Sequence, residues 1–107
     1  MNDPIFLAAD IGATKTNIGL YTFSERLTAY SQTVQLRTAD YSGLEALVAE
    51  FLFSQRAAVS FCVFGVPGPV DNGRATVTNL PWVIDEKKIQ RDLNVTNVTL
   101  INDLEAT

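Results

Sequence analysis

Three short apolar runs constrain this chain more than any other feature. Ile5-Phe6-Leu7-Ala8-Ala9, residues 57–66 and Val98-Thr99-Leu100-Ile101 each read as a strand buried in a sheet. The middle run is too uniformly hydrophobic for a half-exposed strand and belongs at the centre of that sheet. The first and last runs lead straight into acids, Asp10 and the pair Asn102-Asp103. In open α/β sheets, ligands bind outside the carboxyl ends of the strands. The two carboxylates are therefore expected at a common cleft mouth, on first and last strands that lie side by side and run in the same direction.

The segments between these runs complete a mixed sheet. Asn17 to Phe23 and Thr28 to Leu36 read as two antiparallel strands joined by the polar Ser24-Glu25-Arg26. Leu44, Leu47, Val48, Phe51 and Leu52 form one helical stripe, and Ser42 with Glu45 three residues on suggests a capping-box start. Val66-Pro67-Gly68-Pro69-Val70 is a stiff loop, because proline fixes φ and removes a donor. Asn72-Gly73 is the strongest hairpin signal and should fold Arg74 to Thr78 back on the segment before it. A short helix follows from Asp85, with Ile84 and Ile89 as a hydrophobic staple and Asn94 as a left-handed stop. Leu104-Glu105-Ala106 reads as the first turn of a further helix, which suggests the front lobe of a longer protein.

Composition removes several function classes. At 107 residues the chain is one domain. A net charge of −4 without a basic cluster argues against a nucleic-acid surface. No stretch is long enough to span a bilayer, and Met1-Asn2-Asp3-Pro4 lacks the basic start of a signal peptide, so a cytoplasmic location is expected. The absence of histidine excludes His-based metal sites and triads, and a single cysteine excludes an internal disulfide. Cys62 lies in the middle apolar run and is read as a packing residue.

The residues fit phosphoryl transfer to a small molecule. Gly12-Ala13-Thr14-Lys15-Thr16 is not a Walker-type loop, since it leads to a strand rather than a helix. A strand-turn-strand bend can still cradle phosphate with backbone N–H groups and hydroxyls. Gly12 permits close approach, Thr14 and Thr16 offer hydroxyls, and Lys15 offers a point charge. Asp10 suits a hydrated magnesium ion, which prefers few carboxylates and several waters. An ordinary polar hairpin has the same composition, and the residues alone do not separate the two. Asp103 is the candidate base that takes a proton from a sugar hydroxyl. Asn102 can both donate and accept toward a polyol. Either residue also suits the N-cap of a following helix, a role compatible with the first. Thr78 and Asn79 could face a sugar, while Trp82 favours core packing over a pocket wall.

Asp10-Ile11-Gly12-Ala13-Thr14-Lys15-Thr16-Asn17 resembles the first phosphate motif of the sugar kinase and actin superfamily. Thr78-Asn79-Leu80-Pro81-Trp82 followed by Leu100-Ile101-Asn102-Asp103-Leu104-Glu105-Ala106 is similar to the bacterial glucokinase branch. The resemblance implies an α/β fold: a ribonuclease-H-like small domain with a mixed five-stranded sheet, flanking helices and an extra β-hairpin. It implies ATP-dependent phosphorylation of glucose at its 6-hydroxyl. Asp103 is then the base, and Asn102, Asn79 and Gly68 belong to the sugar side. Asp10 and residues 12–16 handle Mg2+ and the ATP phosphates. The alternatives it leaves are a kinase for another hexose or amino sugar, or a sugar-responsive regulator. A C-terminal lobe is expected to supply the adenosine site and further sugar ligands. Without it the chain should be inactive and, with apolar surface exposed, should self-associate as a homo-oligomer. Ala13 stands where such proteins usually show a second glycine, and Asn17 where many carry arginine.

Overall fold

The computed structural model describes residues 5–23, 27–29, 33–77 and 80–102. The first apolar run forms β1 (Ile5–Ile11), which turns into β2 (Lys15–Phe23). The expected Thr28–Leu36 strand is split into β3 (Leu27–Ala29) and β4 (Val34–Arg37), both paired antiparallel to β2. Ala29 faces Tyr21 while Val34 faces Ile18, so five steps of chain lie opposite three. The register on β2 therefore shifts by two residues between β3 and β4. The Ser24–Arg26 connection lies outside the described residues.

Helix α1 (Leu44–Gln55) buries Leu44, Leu47, Val48 and Phe51, as the stripe requires. Its start differs from the expected capping box. The N-cap is Gly43, with no side-chain cap, and Glu45 falls one position too early to reach back. Glu45 instead lies 3.6 Å from Lys88 Nζ on the second helix. α1 ends on Arg56, a non-glycine residue at φ 51, whose N–H bonds Phe53 O.

β5 (Phe61–Val66) then runs parallel to β1. The Asn72-Gly73 turn forms as expected, with φ 56 and 72 and reciprocal Asp71–Arg74 backbone bonds. Beyond that bridge, β6 (Arg74–Thr76) pairs forward with β7 (Val83–Asp85) rather than with the preceding segment. The reason is the loop before it: Pro67 and Pro69 cannot donate to a ladder. α2 (Glu86–Leu93) carries the expected signals. Asp85 accepts from the Lys87 and Lys88 N–H groups, Ile84 and Ile89 are fully buried, and Asn94 stops the helix at φ 55. β8 (Asn97–Asn102) closes the described chain, parallel to β5.

The main sheet therefore runs β3-β2-β1-β5-β8, with β4 on the same edge of β2 as β3: six strands, five positions wide. β1 and β8 do run in the same direction, but they are not side by side. β5 lies between them, which satisfies the hydrophobic demand of the middle run for a central place. Strand alternation sorts the faces. Leu7, Ala9, Ile11, Ile18, Leu20, Cys62, Phe64, Val66, Val98 and Leu100 join the helices in one core. Phe6, Ala8, Asp10, Phe61, Val63 and Ile101 point to the other face, where Phe6 stacks on Phe61 at 4.7 Å and on Tyr21 at 5.6 Å. No helix among the described residues covers that face. None is long and apolar enough to cross a membrane.

Candidate functional site

The β1–β2 turn is built to be tight. Gly12 N–H bonds Lys15 O at 3.0 Å, and a Cβ on Gly12 would stand 2.7 Å from that same carbonyl oxygen. Backbone cannot give way as a flexible side chain can, so glycine is required there by close approach. Ala13, next in the turn, is exposed and outside the positive-φ residues of the described chain, so its methyl costs nothing. Ala13, Thr14 and Lys15 all stand exposed at the tip.

Thr16 is different. It is fully buried, and its hydroxyl lies 2.9 Å from the Thr38 hydroxyl, also fully buried. Thr38 belongs to a single 3-10 turn, Thr38–Asp40, directly after β4. Its Oγ1 donates to Gly12 O at 2.7 Å, and its N–H donates to Thr14 O at 3.0 Å. The hydroxyl of Thr16 thus holds the turn from beneath, and the hydroxyl exposed at the surface is that of Thr14. Thr38 gave no signal in the sequence, because it lies 26 residues from the carbonyl it serves.

Asp10, exposed near the end of β1, pairs with Asn17 on one side and Gly65 on the other. With Gly65 and Ile101 it lines a hollow of about 260 Å³ on the face away from the helices. Asn17 is tied across to β4, where Gln35 Nε2 donates to its Oδ1 at 3.0 Å. No cluster of His, Cys, Asp or Glu among the described residues could form a metal cage. A lone exposed carboxylate is what a mostly hydrated magnesium ion accepts.

Asn102 ends β8, half-buried, with Val66 as its partner in β5. By alternation it leans to the helix face, opposite Asp10. Val66 runs straight into Pro67-Gly68-Pro69, so this loop starts beside Asn102. Gly68 is half-buried, and an added Cβ would meet only Thr76 O at 3.7 Å, an ordinary contact. A wider hollow of about 510 Å³ lies on the hairpin side, lined by Pro69, Asp71, Arg74 and Thr76. Thr78, Asn79, Asp103 and the expected Leu104-Glu105-Ala106 turn lie outside the described residues. Trp82 is buried, with Nε1 donating to Tyr41 O at 3.1 Å, so it packs the core as expected. Burial pushes the Cys62 thiol up to about 12, which leaves it inert.

The sheet thus delivers two groups to one edge: Asp10 with the 12–16 turn, and Asn102 with the 67–69 loop. Against known families, the model described as Glucokinase matches residues 7–107. A glucokinase-like protein of Xylella fastidiosa strain Temecula1 is 36% identical over 109 residues, covering 98% of this chain and 32% of that protein. A glucokinase of Nostoc punctiforme is 32% identical, covering 95% of this chain and 30% of its own length. Among solved structures, a glucokinase from an Antarctic psychrotroph superposes with a TM-score of 0.87 at 23% identity, over 98% of this chain and 34% of that one. A ROK family glucokinase from Streptomyces griseus, solved with glucose and AMPPNP, gives 0.62 at 23% identity, over 92% and 33%. At these identities the structural likeness speaks for the fold. The chain spans about a third of the length of the relatives it matches.

Proposed function

Because the chain belongs to the glucokinase family, we propose that it forms the N-terminal lobe of a two-lobe enzyme that transfers the γ-phosphoryl group of ATP to the 6-hydroxyl of glucose. One observation supports this most: the exposed 12–15 tip and the Asn102 end of β8 reach the same edge of one sheet, on strands that run in the same direction with β5 between them. Two strand spacings separate β1 from β8, roughly 10 Å. That gap gives the transferring phosphoryl group a place between a phosphate subsite and a sugar subsite.

Phosphoryl transfer asks the protein mainly for positioning and charge stabilisation. The exposed N–H groups of the turn, the Thr14 hydroxyl and the Lys15 ammonium take the ATP phosphates, on the bare Cα of Gly12. Thr16 keeps that turn in shape. Asp10 would hold the hydration shell of a magnesium ion, which when bound would neutralise charge on the phosphates. Asn102 donates to and accepts from sugar hydroxyls, with Gly68, and Asn79 by the family resemblance, as further sugar ligands. Asp103 takes the proton of the 6-hydroxyl as its oxygen bonds phosphorus and ADP leaves. The missing two thirds of such a protein supply the adenosine site and the opposing wall, so the 107 residues alone should be inactive.

The test is glucose turnover by the intact protein and its Asp103→Asn variant. Loss of a general base should lower kcat by about 10²–10⁴-fold and leave glucose affinity largely intact. A variant with parental kcat would refute the assignment. A hexose and amino-sugar panel on the same protein decides the sugar.

A further inference from the structure

We infer that Glu86 is a positioning residue for this reaction: its carboxylate latches the hairpin side of the site to β8, two residues before Asn102. The inference rests on the function proposed above.

Glu86 opens α2 directly after the Asp85 N-cap, and three elements meet on it. Its N–H donates to Gly73 O at 2.9 Å, which ties the helix start to the hairpin turn. Its Oε2 accepts from the Leu100 N–H at 2.9 Å, in a part-buried contact. Its Oε1 occupies the space left by the missing side chain of Gly73, where a Cβ would come within 2.6 Å. Gly73 is thus fixed twice, by φ 72 and by this carboxylate.

β8 is an edge strand among the described residues, paired on one side only with β5. Leu100 is buried and faces Phe64 in the ladder, while its N–H reaches outward to Glu86. An edge strand held on one side can slide or lift at its end. Glu86 supplies the second hold at Leu100, two residues before Asn102, which is proposed to bind the sugar. The same side chain seats the 72–73 turn, which follows the Pro67–Pro69 loop. The two halves of the sugar subsite are therefore referenced to one carboxylate. Reacting groups must sit within about 0.5 Å of productive geometry.

The experiment compares Glu86→Gln, Glu86→Ala and Glu86→Asp in the intact protein, with folding checked by circular dichroism at the assay temperature. Glu86→Gln keeps an acceptor oxygen for Leu100 and should stay within about threefold of the parent. Glu86→Asp keeps the charge at the helix start but is one methylene too short, and should lose up to about 10²-fold in kcat, the scale of a 1 Å misplacement. Its KM for glucose should rise, with KM for ATP unchanged, because the phosphate turn lies on β1 and β2. Glu86→Ala should behave as Glu86→Asp does; should it fail to fold, Glu86→Asp decides. A folded Glu86→Asp with parental kcat and KM overturns the inference, as does a Glu86→Gln as damaged as Glu86→Asp. Asp103→Asn is assayed beside them. If it retains activity, the kinase reading itself falls; if it is inactive while Glu86→Asp is unaffected, only the latch is wrong.

Discussion

The hydroxyl pair under the phosphate turn permits a prediction of order as well as size. Thr38 owns one hydroxyl proton, and the geometry commits it to Gly12 O at 2.7 Å. The 2.9 Å contact with Thr16 must then be made by the Thr16 proton, with Thr38 accepting. Thr38→Val therefore strands two groups, the Gly12 carbonyl and the fully buried Thr16 hydroxyl. Stranding a buried polar group costs about 1–3 kcal/mol for each of the two, and the added methyl burial returns about 0.8 kcal/mol, so a net loss of about 1–5 kcal/mol is expected. Thr16→Val removes the donor together with its need for a partner and leaves Thr38 bonded to Gly12, so it should fall within about 1 kcal/mol of the parent. The double variant should cost no more than Thr38→Val alone, because no Thr16 hydroxyl remains to be stranded. Urea unfolding of the intact protein reads all three as midpoint shifts at constant slope. KM for ATP should rise in Thr38→Val more than KM for glucose. Equal losses in the two single variants, or strict additivity in the double, would refute the proton assignment.

Two further outcomes follow from the same structure. Arg56 holds a left-handed conformation at φ 51 to end α1, so Arg56→Gly should raise stability by about 0.5–1 kcal/mol, measured by thermal unfolding. Tyr41 hydrogen-bonds the Glu50 carboxylate, which with burial pushes the phenol up to about 12. A raised pKa in the folded state favours the neutral phenol, so this contribution is complete below about 10 and is lost as pH rises toward about 12. Stability of the parent should fall more steeply across that window than stability of Tyr41→Phe.

Local chemistry was legible in the sequence, and partners in space were not. α2 could be read almost completely, because the Asp85 cap, the Ile84–Ile89 staple and the Asn94 stop act within a few residues of one another. The Ser42–Glu45 box did not form because the helix starts one residue later, on Gly43, which leaves Glu45 one position too early to reach back; its contact with Lys88, far along the chain, left no local signal. Asn72-Gly73 specified a turn but not which strand Arg74–Thr76 would join. The three apolar runs gave the strands and their common direction, yet their order depends on crossovers that no local pattern records. For the site, exposure of the turn tip follows from its polarity, whereas the inward hydroxyl of Thr16 follows only from where Thr38 arrives. Glu86 was hidden likewise, since its acceptor role joins residues 14 apart.

The two departures from the family pattern acquire a physical meaning once the turn is seen whole. A second glycine at position 13 would serve either a positive φ or a backbone approach, and Ala13 meets neither demand. Rigidity in this turn comes from Gly12 against Lys15 O and from Thr38 beneath, so a methyl at the exposed tip leaves the N–H groups where they are. Asn17 stands beside Asp10 in the ladder and bonds Gln35 across to β4. A neutral amide held in that way places no cation directly opposite Asp10 in the β1–β2 ladder. A carboxylate beside a fixed arginine would be partly neutralised before any ligand arrived. Under the function proposed above, the exposed Asp10 carboxylate would face a hydrated cation, and Lys15 at the exposed tip would supply the positive charge for the phosphates. The proposed division of labour is thus a separation in space: the metal side would lie on the strand and the phosphate side on the turn, with Gly12 as the narrow join between them.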